Sequence, residues 1–219
     1  MKRWLIKSLK ENKSLLLFLV LMSVFRSAVA DWYTVPTGSM KPTILEGDRI
    51  YTNKMAYDVR VPFTHISLYK VSNPVRGDII VFDSKAAKNR LIKRVIGIPG
   101  DRVVLSHNQL TINGEQLDYQ KISSNAVSSD EIENLLGLKH QVRLSKTPSS
   151  LANFREVTVP EGYYLALSDN RDHSADSRVI SFVPRSEIIG SAKSVVMSLN
   201  YDNYYLPRKE RFFHSLLNG

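Results

Sequence analysis

Residues 76–101 read RGDIIVFDSKAAKNRLIKRVIGIPGD, a stretch with two runs rich in β-branched and aromatic residues. The first run covers residues 78–82 and follows Arg76-Gly77, and the second covers residues 91–98 and ends at Pro99-Gly100. Short runs of this composition between turn residues are typical of β-strands. We therefore predict a strand at each run.

The same pattern continues on both sides of this stretch and predicts a mostly β body. Further candidate strands cover residues 49–55, 102–105, 109–112, 156–159, 163–167 and 191–199. Asn113-Gly114 between two such runs predicts a hairpin with a type I′ turn. Residues 118–155 differ, because they are rich in Ser, Asn and Lys. We predict that they form a surface insertion or part of a small subdomain, with a possible helical turn over residues 130–138.

Length and composition indicate a globular chain whose positive charge is concentrated at one end. The 219 residues are 43% apolar, which is enough for one core with a smaller satellite, and the chain has no cysteine. The formal charge is +9, yet residues 1–30 alone hold six Lys or Arg and one acidic residue. The sequence shows neither a helix-turn-helix pattern nor a basic stripe with interleaved aromatics. These observations argue against a nucleic-acid partner.

Residues 14–30 read SLLLFLVLMSVFRSAVA and allow two interpretations. A stretch of this length is near the lower limit for crossing a bilayer, and Arg26, Trp32 and Tyr33 suit the outer interface of an anchor. The basic start and the small residues 28–30 also fit a secretory signal peptide. We predict an uncleaved single span, because Arg26 interrupts the region before the expected cut.

Three segments carry residues suited to acyl transfer: 35–48 (VPTGSMKPTILEGD), 91–101 and 165–178 (LALSDNRDHSADSR). Taken singly, they could be a tight turn, solvated strand charges and a polar loop. Ser39 on a Gly-containing turn can present its hydroxyl and its own N–H to a carbonyl. Lys93 has apolar neighbours that favour a neutral amine and hence a base. Strand alternation predicts that Lys93 shares a face with Leu91 and Val95, and that Arg94 lies on the opposite face.

These segments, with the 76–82 strand, resemble the boxes of bacterial signal peptidase I in the family's order. The resemblance implies a membrane-anchored β-sheet catalytic core with a smaller inserted β subdomain and one N-terminal transmembrane helix. The expected division is a cytoplasmic basic segment at 1–13, an anchor at 14–30, a catalytic core at 31–101 and 159–219, and an inserted subdomain at 102–158. Residues 118–155 lie outside the resemblance.

The family's site residues can be carried over to matching positions of this sequence. Ser39 would be the nucleophile and Lys93 the general base, with Thr37 and the Ser39 N–H as the oxyanion hole. Ser174 would orient the base. The matching supporting polar residues are Asp169, Arg171, Asp176 and Arg178. The positions near the shallow substrate pockets are Val35, Ile44 and Ile92. Ser168 and Ser181 depart from the family, which usually has Gly at both places.

The resemblance implies an endopeptidase of the bacterial inner membrane, with its catalytic domain outside and no cofactor or metal. Its partners would be exported preproteins and membrane lipid, and it would cut after A-x-A sites. Two alternatives remain: a specialised relative that matures one partner such as a conjugative pilin, and a tethered β-domain that binds exported chains without cutting them. The five histidines show no metal or triad spacing and are expected in surface positions or loops. They are His65, His107, His140, His173 and His214.

Overall fold

A computed structural model describes residues 12–147 and 149–216 of the chain. Two α-helices fall in this part of the chain, α1 (Lys13–Ala28) and α2 (Ser177–Ile180). The strands of the described residues are β1 Ala30–Thr34, β2 Asp48–Asn53, β3 Asp58–Arg60, β4 Ser67–Lys70, β5 Ile79–Ser84, β6 Asn89–Gly97, β7 Arg102–Ser106, β8 Gln109–Ile112, β9 Glu115–Gln116, β10 Asp118–Ser124, β11 Ser128–Leu135, β12 Leu138–Ser145, β13 Phe154–Thr158, β14 Tyr163–Leu167, β15 Val183–Pro184, β16 Ile188–Asn200, β17 Leu206–Pro207 and β18 His214–Ser215. The prediction of a mostly β body is therefore confirmed.

One large antiparallel sheet carries the segments at both ends of the described chain. Its strands follow the order β1-β2-β16-β5-β6-β14-β15, and β17 and β18 also pair with β16. The two runs of residues 76–101 form its centre as the hairpin β5–β6, in which Ile80 pairs with Lys93 and Ile79 with Arg94. The central sheet thus brings sequence-distant segments together.

Both faces of the β5–β6 hairpin are covered by apolar side chains. One cluster contains Ile79 and Val81 and packs against Ile92, and a second contains Ile80 and Val95. Strands covered on both faces need continuous apolar sequence, which explains the run IIVF. Polar side chains in the second half of β6 are therefore buried on either face, whereas Asn89 and Arg90 at its start are exposed.

Two smaller sheets lie within residues 102–158. The order of one is β13-β7-β8-β9, and β10-β11-β12 form a three-stranded meander that we call the meander. Asn113 and Gly114 both have positive φ, and Ile112 pairs with Glu115, so the predicted type I′ hairpin is confirmed. The prediction of a helical turn over residues 130–138 was wrong. These residues form most of β11 and the turn into β12, because Ile132 pairs with Gln141 and Leu135 pairs with Leu138.

Helix α1 ends at the edge of the large sheet. Lys54 Nζ donates hydrogen bonds to the carbonyls of Arg26 and Ser27 at 2.7 and 3.4 Å and lies 3.2 Å from Asp31. Arg26 also donates to Asp31 at 2.9 and 2.7 Å. Only Val29 separates α1 from β1, in which Ala30 is buried and pairs with Asn53. Cationic side chains thus satisfy the free carbonyls of the helix end and fasten it to the sheet.

The apolar side chains of α1 are exposed along its length, for example Leu17 at 60% and Leu21 at 59%. The sequence predicted an anchor over residues 14–30, whereas the helix ends at Ala28 because Ala30 enters the sheet. Among the described residues, no helix combines the length and the apolar character needed to cross a membrane. Most of the predicted cytoplasmic segment, 1–11, lies outside the described residues.

Candidate active site

Ser39 lies at the centre of a 3₁₀ turn, Gly38–Met40, in the connection between β1 and β2. The turn closes with a hydrogen bond from Lys41 N–H to the Gly38 carbonyl at 3.1 Å. Met40 and Ile44 are buried in the core, whereas Ser39 is only partly buried. Apolar anchors therefore fix the turn and leave the serine hydroxyl at its surface.

Asn170 clamps this turn from the third chemical segment. Its backbone N–H donates to the Ser39 carbonyl at 3.1 Å, and its side-chain Nδ2 donates to the Gly38 carbonyl at 3.0 Å. The Asn170 carbonyl in turn accepts from Ser174 Oγ at 3.2 Å. No local sequence pattern marks Asn170 as a site residue, since its contacts with the turn are with backbone groups about 130 residues away.

Lys93 reaches Ser39 from strand β6. Its Nζ lies 3.2 Å from Ser39 Oγ, and the residue is only 2% exposed. Burial lowers the pKa of the Lys93 amine to about 8, although the charges of Asp176 and Asp169 act to raise it. With this pKa, about a tenth of the amine is neutral at pH 7 and about half at pH 8, and the neutral form can accept a proton.

Arg94, the neighbour of Lys93, is equally buried on the other side of the strand. Its guanidinium donates two hydrogen bonds to Asp169 at 2.9 and 2.8 Å, and Thr43 Oγ1 donates to the same carboxylate at 2.6 Å. Burial acts to raise the pKa of Asp169, but Arg94 outweighs this effect and lowers that pKa. The ion pair joins the strand of the base to residues 165–178, and the Thr43 hydroxyl ties the same carboxylate to the segment that follows the nucleophile.

Asp176 and Arg178 form a second buried pair beside the base. Arg178 donates to Asp176 at 2.8 and 2.7 Å, and Asp176 accepts the Ser168 N–H at 3.0 Å. Burial acts to raise the pKa of Asp176, but Arg178 reverses the effect and lowers it. Asp176 also caps α2 by accepting the Arg178 N–H. The pair thus holds both the helix start and the end of β14.

Ser168 and Ser174 occupy different hydrogen-bonding environments. The Ser168 side chain is wholly buried, and no described residue hydrogen-bonds to its hydroxyl. Ser174 Oγ donates to the Asn170 carbonyl and lies 3.5 Å from Asp176 Oδ2, in contrast to the contact with the base that the resemblance implies. Ser181 has a φ of 69° and a ψ of −169°, a conformation that glycine adopts more easily.

The remaining predicted site residues surround the nucleophile turn. Thr37 is exposed, immediately precedes the turn in extended backbone and makes no side-chain capping bond. Val35 and Ile44 are 3% and 0% exposed and lie in the core behind the turn, whereas Ile92 is partly buried against the same cluster. The three apolar residues belong to one cluster, which also contains Met40 of the nucleophile turn.

His140 differs from the other histidines, which are all exposed. The expectation of a surface or loop position was wrong for His140, which is 1% exposed and lies on β12. Its Nε2 is 2.9 Å from Glu133 Oε1 on the paired strand β11. No local pattern marks this position, because its burial depends on how the meander packs against residues 169–171.

Comparisons with known proteins show to which family the chain is similar. A family model described as "Signal peptidase, peptidase S26" matches residues 8–197. The signal peptidase I of Pseudomonas fluorescens is 35% identical over 203 residues, which cover 85% of this chain and 72% of that protein. The signal peptidase I of Rickettsia bellii is 36% identical over 213 residues, which cover 86% of this chain and 73% of that protein. A solved signal peptidase I from Enterococcus faecalis aligns with 56% of this chain and 98% of its own, at 32% identity and a TM-score of 0.37. The family match includes all three segments that carry chemistry.

Proposed function

Since the chain belongs to the signal peptidase family, peptidase S26, we propose that it removes signal peptides from exported preproteins with Ser39 as nucleophile and Lys93 as general base. The observation that carries the proposal is the 3.2 Å contact between Lys93 Nζ and Ser39 Oγ in a site where burial lowers the pKa of the amine to about 8. A serine next to a neutral amine is an activated nucleophile.

The reaction is acyl transfer through a serine ester. Neutral Lys93 takes the Ser39 proton, and the serine oxygen attacks the carbonyl carbon of the small residue at the −1 position. The Ser39 N–H and the Thr37 hydroxyl stabilise the resulting oxyanion. Lys93 then returns the proton to the leaving amine and activates the water that hydrolyses the ester. The chain supplies every group in this sequence of steps.

The supporting groups act by holding the two reacting side chains in place. Asp169 fixes the strand of Lys93 through Arg94, and Asp176 with Arg178 holds the segment beside it. Arg171 and Ser174 keep the backbone around Asn170 in the conformation that clamps the turn. Positioning of this kind contributes strongly to rate, because misplacement by about 1 Å can cost about 100-fold.

Substrate selection would rest on the apolar cluster of Val35, Ile44 and Ile92. These residues would line shallow pockets for small side chains at the −1 and −3 positions of the substrate. Val35 and Ile44 are 3% and 0% exposed, so their packing in the core would leave room for small side chains and not for long ones. An A-x-A preference follows from this limited volume.

The signal peptidase I family is membrane-associated in bacteria. For this chain, residues 14–30 would be the anchor in the inner membrane, with the N-terminus cytoplasmic and the catalytic domain outside. The exposed apolar side chains along α1 support an apolar environment for this segment. Confining enzyme and preprotein to one surface raises their effective concentration.

Mass spectrometry of a preprotein with an A-x-A site tests the proposal. The preprotein is incubated with the detergent-solubilised chain or with Ser39→Ala or Lys93→Ala, and Ser186→Ala and Lys121→Ala serve as exposed matched controls. We expect one cut after the second alanine with wild type and both controls, and none with either site variant. A cut that survives a site variant contradicts the assigned dyad. An intact preprotein with wild type contradicts broad signal-peptide removal and favours a private substrate or a binding role.

A further inference from the structure

A chain of buried polar side chains, which we call the buried network, connects the meander to residues 165–178, which we call the catalytic segment. Glu133 is at its centre and accepts hydrogen bonds from Tyr119 at 2.6 Å and Arg171 at 2.8 Å. His140 Nε2 lies 2.9 Å from the same carboxylate, and its Nδ1 is 3.7 Å from Asp169 Oδ1. The side chains of Glu133, His140, Arg171 and Asp169 are at most 1% exposed. Groups buried this completely require their partners.

The buried network joins two parts of the chain that are far apart in sequence. Glu133 and His140 are cross-strand partners on β11 and β12, outside the segments assigned to chemistry. Arg171 and Asp169 belong to the catalytic segment. Backbone bonds reinforce the junction, since Arg143 N–H donates to the Asp169 carbonyl at 2.8 Å and Arg171 N–H to the Arg143 carbonyl at 3.0 Å. The catalytic segment therefore rests on β12.

From this junction, two short routes lead to the reacting groups. Asn170, between Asp169 and Arg171, holds the Ser39 and Gly38 carbonyls. Asp169 binds Arg94, the residue next to Lys93. Movement at the junction would thus displace both the nucleophile and the strand that carries its base.

Glu133 is an anion whose partners are all donors. Burial acts to raise the pKa of its carboxyl, but the charge of Arg171 and the His140 contact outweigh burial and hold that pKa below its usual range. Removing the negative charge would leave the Arg171 guanidinium without a counter-ion at a site from which water is excluded. Removing one partner of a buried ion pair destabilises the folded protein far more than removing an exposed charge. The segment containing Asn170 would then relax to another position.

We propose that Glu133 and His140 of the meander are positioning residues for the proposed peptidase reaction, acting through Arg171 and Asp169 on the turn of Ser39 and the strand of Lys93. The inference deepens the proposed function and rests on it, because preprotein cleavage is the readout. Neither residue touches the substrate in this role. Their loss should lower kcat and leave KM nearly unchanged.

The decisive comparison uses the same substitution at two positions of one strand. Glu133→Gln keeps the shape of the side chain and removes its charge. Glu131→Gln is the matched control, since Glu131 is two residues away on β11 and contacts Ser129 Oγ at 3.1 Å. We expect Glu133→Gln to lower kcat for preprotein cleavage about 10- to 100-fold, with KM within about two-fold of wild type. Glu131→Gln should match wild type in both.

A second pair of variants tests the role of His140. A further variant, at Tyr119, covers the case in which Glu133→Gln does not fold. His140→Gln keeps an N–H donor for Glu133 and should retain more kcat than His140→Leu, which has none. Tyr119→Phe removes the hydroxyl that donates to Glu133 and accepts the Leu110 N–H at 3.0 Å, and it decides the matter if Glu133→Gln does not fold. We expect a folded variant with a lower melting temperature and, below that temperature, about a threefold lower kcat.

Equal kcat for Glu133→Gln and Glu131→Gln, with a lower melting temperature for the former, would assign a purely structural role and overturn the inference. Equal kcat for Tyr119→Phe and wild type would overturn it if Glu133→Gln is unfolded. Failure of the proposed function is distinguishable from either result, because wild type and Glu131→Gln would then also leave the preprotein intact.

Discussion

Replacing Lys93 with Met should abolish cleavage and also stabilise the folded chain at neutral pH. The amine has an ordinary pKa of 10.5, and burial lowers this pKa to about 8. The difference, at about 1.36 kcal/mol for each pKa unit, corresponds to about 3 kcal/mol of folding free energy that the charged amine costs. Met has a similar length and carries no charge, so the variant avoids this cost.

The stabilisation should depend on pH in a defined direction. Because the folded pKa is lower than the unfolded one, the full cost applies below about pH 8, where both states bind the proton. As the pH rises toward 10.5, the folded amine becomes neutral first and the cost disappears. From these two pKa values we expect the gain of Lys93→Met to be about 3 kcal/mol at pH 7, about 2 at pH 9 and about 0.4 at pH 10.5.

Urea unfolding of the full chain in detergent, followed by tryptophan fluorescence at the three pH values, measures this gain. Lys121→Met is the control, since Lys121 is exposed on β10 and its replacement should change stability by less than about 0.5 kcal/mol. Ser39→Ala separates activity from stability, because it should remove cleavage without the pH-dependent gain. A gain for Lys93→Met that is the same at pH 7 and pH 10.5 would refute the lowered pKa of the amine.

Two further predictions concern the same site. If neutral Lys93 is the base, kcat/KM of wild type should rise with pH and reach half its plateau near pH 8. The profile is measured with one preprotein from pH 6 to 10. A profile that is flat across this range would exclude Lys93 as the titrating base. Ser181→Gly should stabilise the fold by about 1 kcal/mol in the same urea assay, because Ser181 has a φ of 69°, and Ser186→Gly at an exposed position should give no such gain; a loss of stability in Ser181→Gly would mean that the backbone there is unstrained.

Local patterns predicted four strands of the large sheet closely, whereas β1 was not predicted. The strand predicted at 163–167 matches β14, and those predicted at 49–55, 78–82 and 91–98 differ from β2, β5 and β6 by at most two residues at either end. Alternation and turn chemistry act over a few residues, so they can be seen in sequence. Local patterns did not predict the individual strands of the meander, because their sequences are rich in polar residues and the strands are specified by pairing with each other.

The candidate site was predictable where a residue type itself indicates chemistry. An inward lysine beside apolar neighbours and a serine on a Gly-containing turn are visible in sequence, and the structure brings Lys93 and Ser39 within 3.2 Å. Glu133, His140 and Asn170 were not predictable, since each is defined by contacts with distant segments. Arg94 was expected on the face opposite Lys93, but its burial became evident only once both faces of β6 were seen to be covered.

The direct passage from α1 into β1 has a mechanical consequence. Val29 alone separates the two elements, and Lys54 and Asp31 tie them together, so the helix has no hinge through which it could swivel against the sheet. A five-residue strand such as β1 spans about 16 Å, and the turn of Ser39 follows soon after it. The distance from the helix end to the serine is therefore set by a rigid spacer. With α1 as the proposed membrane anchor, this spacer would fix how far Ser39 lies from the membrane surface, and lengthening β1 by two residues should move the scissile position along the substrate.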